Sequence, residues 1–122
     1  MALSTIATEQ AKATKKTLKN VHQVLDYLTT NLDATIIYHA SEMMLNINSE
    51  AYYISAKNSM SRASGHLFLS SVTKDGEPIT LNDAFFTLCT ILNFVASSAS
   101  EAELGAIFMN VKEGRTIILT LA

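Results

Sequence analysis

MMLNINSEAYYISAKNSMSRASGHLFLSSVT, residues 43–73, is the stretch on which the fold turns. From Met43 to Asn48, apolar Met43, Leu45 and Ile47 alternate with other side chains, the period of two that turns one face of a strand toward a core. His66 to Thr73 (HLFLSSVT) resumes β character. Between them, Ser49 to Ser64 is polar and serine-rich, carries Lys57 and Arg62, and is followed by Gly65, which predicts a loop or long turn. Upstream, Ala34 to His39 (ATIIYH) is β-branched and aromatic, so a second strand is expected next to Met43–Asn48. Downstream, Lys74-Asp75-Gly76-Glu77-Pro78 predicts a turn.

Helical periodicity flanks this β region. From Lys12 to Asn31, Leu18, Val21, Val24, Leu25 and Leu28 recur at spacings of three and four, while Lys15, Lys16 and Lys19 lie toward the other side. Thr14 is the candidate N-cap, and Asn31 and Asp33 close the segment. Lysines in a first helical turn run against the macrodipole, so they are not there for helix stability. They make either a solvated basic face, the commoner case, or a surface for a polyanion. Ala84 to Ala96 is ambiguous by period: Thr90 to Val95 fits a buried strand, and Asp83 to Leu88 leads into it as strand or as a short helical turn. Ser100 to Glu113 sets Leu104, Ile107, Phe108 and Val111 on one helical face, capped by Ser98 or Ser100 and stopped at Gly114. Thr116 to Leu121 either continues that helix or starts another strand. Helix, grouped strands, helix is the order of an α+β fold: a leading amphipathic helix, a mostly antiparallel sheet and a helix packed on one face.

Composition narrows the function classes. A chain of 122 residues is enough for one domain, and 48% apolar with 16% charged residues, against about 25% charged in average domains, is neither disordered nor coiled coil. A single cysteine, Cys89, excludes a disulfide framework and a cysteine zinc site, and three scattered histidines give no metal spacing. A reducing compartment, cytoplasmic or nuclear, is expected. The longest apolar-rich stretch is far short of the ~20 residues that span a bilayer, so no membrane partner is expected. The amino-terminal stretch lacks the basic start and apolar run of a secretory signal. The serines pair with no histidine and aspartate at triad spacing, and the isolated glycines make no phosphate loop. The chain is nonetheless more apolar than a free-standing domain of this size should be.

Two placements single out carboxylates. Glu50 follows the alternating strand, and Glu101 and Glu103 sit in the first turn of the last helix. A carboxylate on a strand and another on the adjoining helix is how a two-ion site for phosphodiester cleavage is built, with ions about 4 Å apart. The plainer reading is a strand-end residue and acids favoured by the helix dipole. Tyr52 and Tyr53 beside Lys57 and Arg62 are candidates for base stacking and phosphate contact, or for ordinary packing.

Three ordered stretches carry a family resemblance. LSTIATEQAKATKKTLKNVHQVLDYLTTNLDATIIYHAS resembles the helix leading out of a polymerase region followed by a strand of pattern D-A-x-x-x-Y-x-A-S. LNINSEAYYISAKNSMSRASGHLFLS resembles S-D-A-S-Y-L-S-x-x-x-A-R-S-R-A-G-G-x-x-F-L-S, and ILNFVASSASEAELGAIFMNVKE resembles a strand followed by S-S-A-A-E-A-E-x-G-A-L-F-x-N-A-K-E. Together they cover nearly the whole chain. The chain is thus similar to copia-like retrotransposon polyproteins, from the end of the reverse transcriptase into the ribonuclease H domain. The resemblance implies an exit or connection helix over 1–31 and a partial, incomplete ribonuclease H-like domain over 32–122. It implies Mg²⁺ or Mn²⁺ as cofactor, an RNA/DNA hybrid and the rest of the polyprotein as partners, and metal-dependent cleavage of the RNA strand as the ancestral activity. The family's first catalytic aspartate falls on Glu50 and its helix glutamate on Glu103, with Glu101 the alternative metal ligand. Lys57, Arg62, Tyr53, Lys15, Lys16 and Lys19 are the candidate nucleic-acid contacts.

The departures are informative. Glutamate at position 50 shifts the carboxylate by about one C–C bond, where working sites tolerate roughly 0.5 Å. Met60 stands where the family has arginine, Asn58 where lysine is common and Tyr52 where serine is, which removes phosphate contacts. The family's third aspartate, in a T-D-N-like motif on a later strand, is not met before Ala122. The expectation is therefore a fragment or degenerate copy without nuclease activity of its own, whose uncovered interior surface favours self-association. The rival expectation is a non-catalytic module that binds nucleic acid or protein.

Overall fold

The computed structural model describes residues 2–121, which form two compact units, Met1–Ile36 and Ile37–Ala122. In the first, α1 (Ala2–Thr8) and a 3₁₀ turn (Gln10–Lys12) precede α2 (Lys15–Thr30). The start of α2 follows from its sequence: Thr14 Oγ1 accepts from Thr17 N–H, and Thr14 N–H donates back to Thr17 Oγ1 at 3.1 Å. The buried Thr17 hydroxyl in turn donates to Glu9 at 2.6 Å, which ties the 3₁₀ turn to the helix cap. Asn31 N–H returns to the Tyr27 carbonyl and closes the helix where the sequence places its end. The short α1, with no charged residue and no cap signal, was not foreseen. No helix among the described residues is long and apolar enough to cross a membrane.

The second unit is α+β. Strands β1 (Met44–Tyr52), β2 (Arg62–Ser70) and β3 (Phe86–Ile91) form one antiparallel sheet in the order β1-β2-β3, and α3 (Ala99–Leu121) packs across β1 and β2. Register is fixed by pairs such as Glu50↔Ser64 and Ser64↔Cys89. One sheet face, with Ala51, Ala63, Leu67 and Leu88, meets α3, and a small core gathers there: Ala63, Leu92, Ala96, Ala102 and Ala106.

Several expectations are corrected. The hairpin loop is not Ser49–Ser64 but 53–61, because both strands run on through polar residues. Side-chain hydrogen bonds build this loop: Ser61 Oγ accepts from Ile54 N–H at 3.0 Å, and Ser55 Oγ donates to the Tyr52 carbonyl at 2.8 Å. The left-handed backbone at Asn58 suits asparagine, whereas Ile54 at φ 49° is unusual for a β-branched residue. Ala34–His39 is not a strand. Its backbone meets side chains instead of a ladder: Asn82 Oδ1 accepts from His39 N–H at 2.9 Å and Asn82 Nδ2 donates to the His39 carbonyl at 3.0 Å. The third strand is Phe86–Ile91, four residues before the expected Thr90–Val95. The Lys74–Glu77 turn forms as expected, with Glu77 N–H on the Lys74 carbonyl and Gly76 at φ 85°, the positive angle a type II turn requires.

The largest correction concerns α3. The expected core face, Leu104, Ile107, Phe108 and Val111, is exposed, at 67, 47, 69 and 53%. The helix instead buries Ala102, Ala106, Asn110 and Gly114, a stripe of small residues at four-residue spacing. Gly114 is no stop but a contact point: a Cβ there would stand 2.5 Å from Ile47 Cδ1. Thr116 to Leu121 continue the helix. The sheet opposite α3 is itself low, with Ala63 and Gly65 on β2, so a helix presenting small residues approaches closely and gains contact that larger side chains would hold away.

Candidate functional site

The candidate carboxylates occupy different settings. Alternation along β1 turns Ser49 and Ala51 toward α3 and therefore turns Glu50 to the opposite face of the sheet. On that open face, Asn48, Glu50, Ser64 and His66 line a shallow depression of about 350 Å³. Asn48 lies across from His66 and Glu50 across from Ser64, so the four form a square in the register, with Cys89 next to Ser64 on β3.

Glu50 accepts a hydrogen bond from the Tyr52 hydroxyl at 3.1 Å. That bond, and the negative charge behind it, hold the Tyr52 phenol above its ordinary range. A raised folded-state pKa favours the neutral phenol in the fold. Its contribution to stability is present below the ordinary phenol pKa and is lost as pH rises through the raised one. Glu50→Gln is expected to lower the Tyr52 titration toward the ordinary value in an ultraviolet difference titration. Superimposable curves for the two proteins would contradict the pairing.

Glu101 is occupied with helix geometry. Its carboxylate accepts from the Ser97 hydroxyl at 2.6 Å and from Ser97 N–H at 2.7 Å, which hold its pKa below the usual carboxylate range. Ser98 is the cap: its Oγ accepts from Glu101 N–H and its carbonyl from Ala102 N–H. A depressed carboxyl pKa stabilises the helix start above the ordinary glutamate value, and this is lost as pH falls through the lowered one. Glu103 is half-buried on α3 and makes no hydrogen bond or ion pair among the described residues. Of the two helix glutamates it is the one whose carboxylate is uncommitted. The helix carrying Glu103 packs on one sheet face while Glu50 lies on the other. Among the described residues no three His, Cys, Asp or Glu side chains gather as a metal site.

The candidate nucleic-acid contacts divide in the same way. Arg62 is 4% exposed; its Nη1 donates to the Ser55 carbonyl at 2.9 Å, and its Nε is buried without a partner. It braces the hairpin loop and presents no charge to a ligand in this structure. Lys57 is exposed at the loop tip, and Tyr53, 39% exposed, anchors the loop by donating from its hydroxyl to the Ser97 carbonyl. Lys15, Lys16 and Lys19 are exposed on α2 in the first unit. Ser64, His66 and Asn48 were missed by sequence reasoning. The signal for Ser64 and His66 was the alternation of β2; it was cut short because Ser64 was assigned to the loop while His66 began the expected strand.

Comparison with protein-family models, curated proteins and solved structures finds no match to this chain.

Proposed function

We propose that the chain is a degenerate copy or fragment of a copia-like reverse transcriptase/ribonuclease H polyprotein, retaining an incomplete ribonuclease H-like fold without nuclease activity of its own. The observation that carries this reading is the ordered set of three motifs, which fall on α2, on the β1–β2 hairpin with Glu50, and on the segment leading into α3 with Glu103. The order of an antiparallel hairpin, a third strand and a helix on one face is compatible with the beginning of such a domain.

The loss of activity rests on chemistry. Two-ion cleavage needs carboxylates converging on shared metals. Here Glu50 carries an extra methylene, faces away from α3 and is engaged by Tyr52, while Glu101 is engaged at the helix start. The residues that would hold Mg²⁺ or Mn²⁺ in an active relative are Glu50 and Glu103; here Glu50 lies on the sheet face turned away from α3, and Glu103 is carried by α3. Metals held by these two carboxylates would supply water activation and leaving-oxygen stabilisation in the ancestral reaction. Of the candidate contacts, the exposed cations Lys57 and, in the other unit, the α2 lysines would serve hybrid binding through the phosphate backbone.

The test is a cleavage assay on an RNA/DNA hybrid in Mg²⁺ and in Mn²⁺, with Glu103→Gln as control. The expected result is no turnover by either protein. Turnover that disappears in Glu103→Gln would overturn the proposal of inactivity. A second reading, a non-catalytic interaction module, is favoured by the exposed apolar surface of α3. Hybrid binding with a steep salt slope would support the nucleic-acid reading over it.

A further inference from the structure

The face of α3 turned away from the sheet is a continuous apolar seam. Leu104, Val111 and Ile118 follow one another at seven-residue spacing, with Ile107 and Phe108 between the first two, and all five are about half exposed or more. A seven-residue recurrence is the signature of a helix that packs against another helix, whereas a solvated helix face carries charge along its middle. Of the charged residues of α3, Glu103 and Glu113 are half-buried, and the exposed ones are segregated by sign along the helix: Glu101 belongs to the amino-terminal part of the seam, and Lys112 and Arg115 lie three to four turns on.

We propose that this seam is a homodimer interface in which α3 pairs antiparallel with α3 of a second copy, about a two-fold axis between Ile107 and Phe108. In that register Leu104 lies level with Val111 of the second copy and Ile107 level with its Phe108. Glu101, on the same flank of the helix as Lys112, comes within one turn of Lys112 and Arg115 of the second copy. A parallel pairing would instead set the acidic start of α3 level with that of the second copy and the basic stretch level with its counterpart, so the charge pattern selects the antiparallel arrangement. The contact is isologous, and one surface serves both copies. The stripe taken twice buries on the order of 1,000 Å², the lower end of specific interfaces, so a reversible, concentration-dependent dimer is expected. This inference stands apart from the retroelement reading and survives or fails without it.

The test is sedimentation equilibrium of the full chain over a wide concentration range. A monomer–dimer equilibrium is expected. Leu104→Ser combined with Val111→Ser should raise its dissociation constant at least about tenfold while leaving the thermal midpoint of the monomer nearly unchanged, because both side chains are exposed in the monomer. Lys112→Glu with Arg115→Glu should weaken the dimer, and adding Glu101→Lys should restore it. In a Cys89→Ser background, the double variant Leu104→Cys, Val111→Cys should form a disulfide-linked dimer on oxidation, and Leu104→Cys alone should not. A monomer at every concentration would overturn the proposal. So would a dimer whose constant ignores these substitutions, since another surface would then hold it.

Discussion

Gly65→Ala is expected to unfold the Ile37–Ala122 unit or to leave it barely stable. Gly65 lies in the middle of β2, and the Asn110 side chain of α3 rests directly on its Cα. A Cβ at this position would overlap Asn110 Oδ1 and stand 2.8 Å from Nδ2. Asn110 has no room to yield, because it is fully buried and its two Nδ2 hydrogens are shared among Ser49 Oγ, the Ser64 carbonyl and the Ala106 carbonyl, all near 3 Å. The methyl must therefore push α3 off the sheet or break this three-way anchor. Overpacking of this kind costs about 3 kcal/mol or more, a large share of the roughly 5–15 kcal/mol by which domains are stable. Urea unfolding followed by circular dichroism measures the loss. Combining Gly65→Ala with Asn110→Ala should recover part of it, since the smaller side chain vacates the space the methyl needs. Additive losses would show that the two residues do not meet as described.

Asn110→Asp is expected to be nearly as damaging for a different reason. The change is almost isosteric, so packing is preserved, but it replaces the donating NH₂ by an oxygen that faces two carbonyl oxygens. A carboxylate in this buried position has lost its water and gained no cation, a situation that costs roughly 3–5 kcal/mol. The deficit should depend on pH with a definite sign. Burial raises the pKa of the introduced carboxyl in the folded state, so the protonated form is favoured there. The stability gap between Asn110→Asp and the parent should narrow as pH falls through that raised value. Parallel urea denaturations at neutral and mildly acid pH measure it. A gap that widens on acidification would contradict the assignment of Nδ2 as the donor to these carbonyls.

These two residues also show where the sequence was legible and where it was not. The α2 helix was readable because local signals agree: the Thr14 cap, the apolar stripe and the Asn31 close lie within one segment. The α+β class, the antiparallel sheet and the Lys74–Glu77 turn were readable for the same reason. The face of α3 was not. Hydrophobic periodicity marked Leu104, Ile107, Phe108 and Val111 as core, yet the sheet offers Gly65 and Ala63, and only the small-residue face can descend onto them. That decision depends on a residue forty-five positions away from Asn110, and no local window contains it. Gly65 was read as the end of a loop, although it is a strand glycine placed for close approach.

The site was legible in its residue types and not in its geometry. Glu50 and Glu103 were marked by motif, but the facing of Glu50 depends on the parity of β1, and parity is fixed by pairing with β2 rather than by composition. The reading of Arg62 as a phosphate contact failed for a related reason. A charged residue in a serine-rich segment looks solvated until the loop that it braces closes over it. Of the candidate phosphate contacts, those that remain exposed are Lys57 in one unit and the α2 lysines in the other, fewer than the sequence suggested.

The separation of the Glu50 and Glu103 carboxylates is the claim on which the proposed lack of nuclease activity rests. Titration of the isotopically labelled chain with Mn²⁺, read as paramagnetic broadening of assigned amide signals, tests it most directly. Weak, non-saturating broadening around Asn48, Glu50, Ser64 and His66, independent of any change at Glu103, is expected. Saturable broadening of the Glu50 and Glu103 signals together, abolished by Glu103→Gln, would place both carboxylates on one ion and contradict the separation.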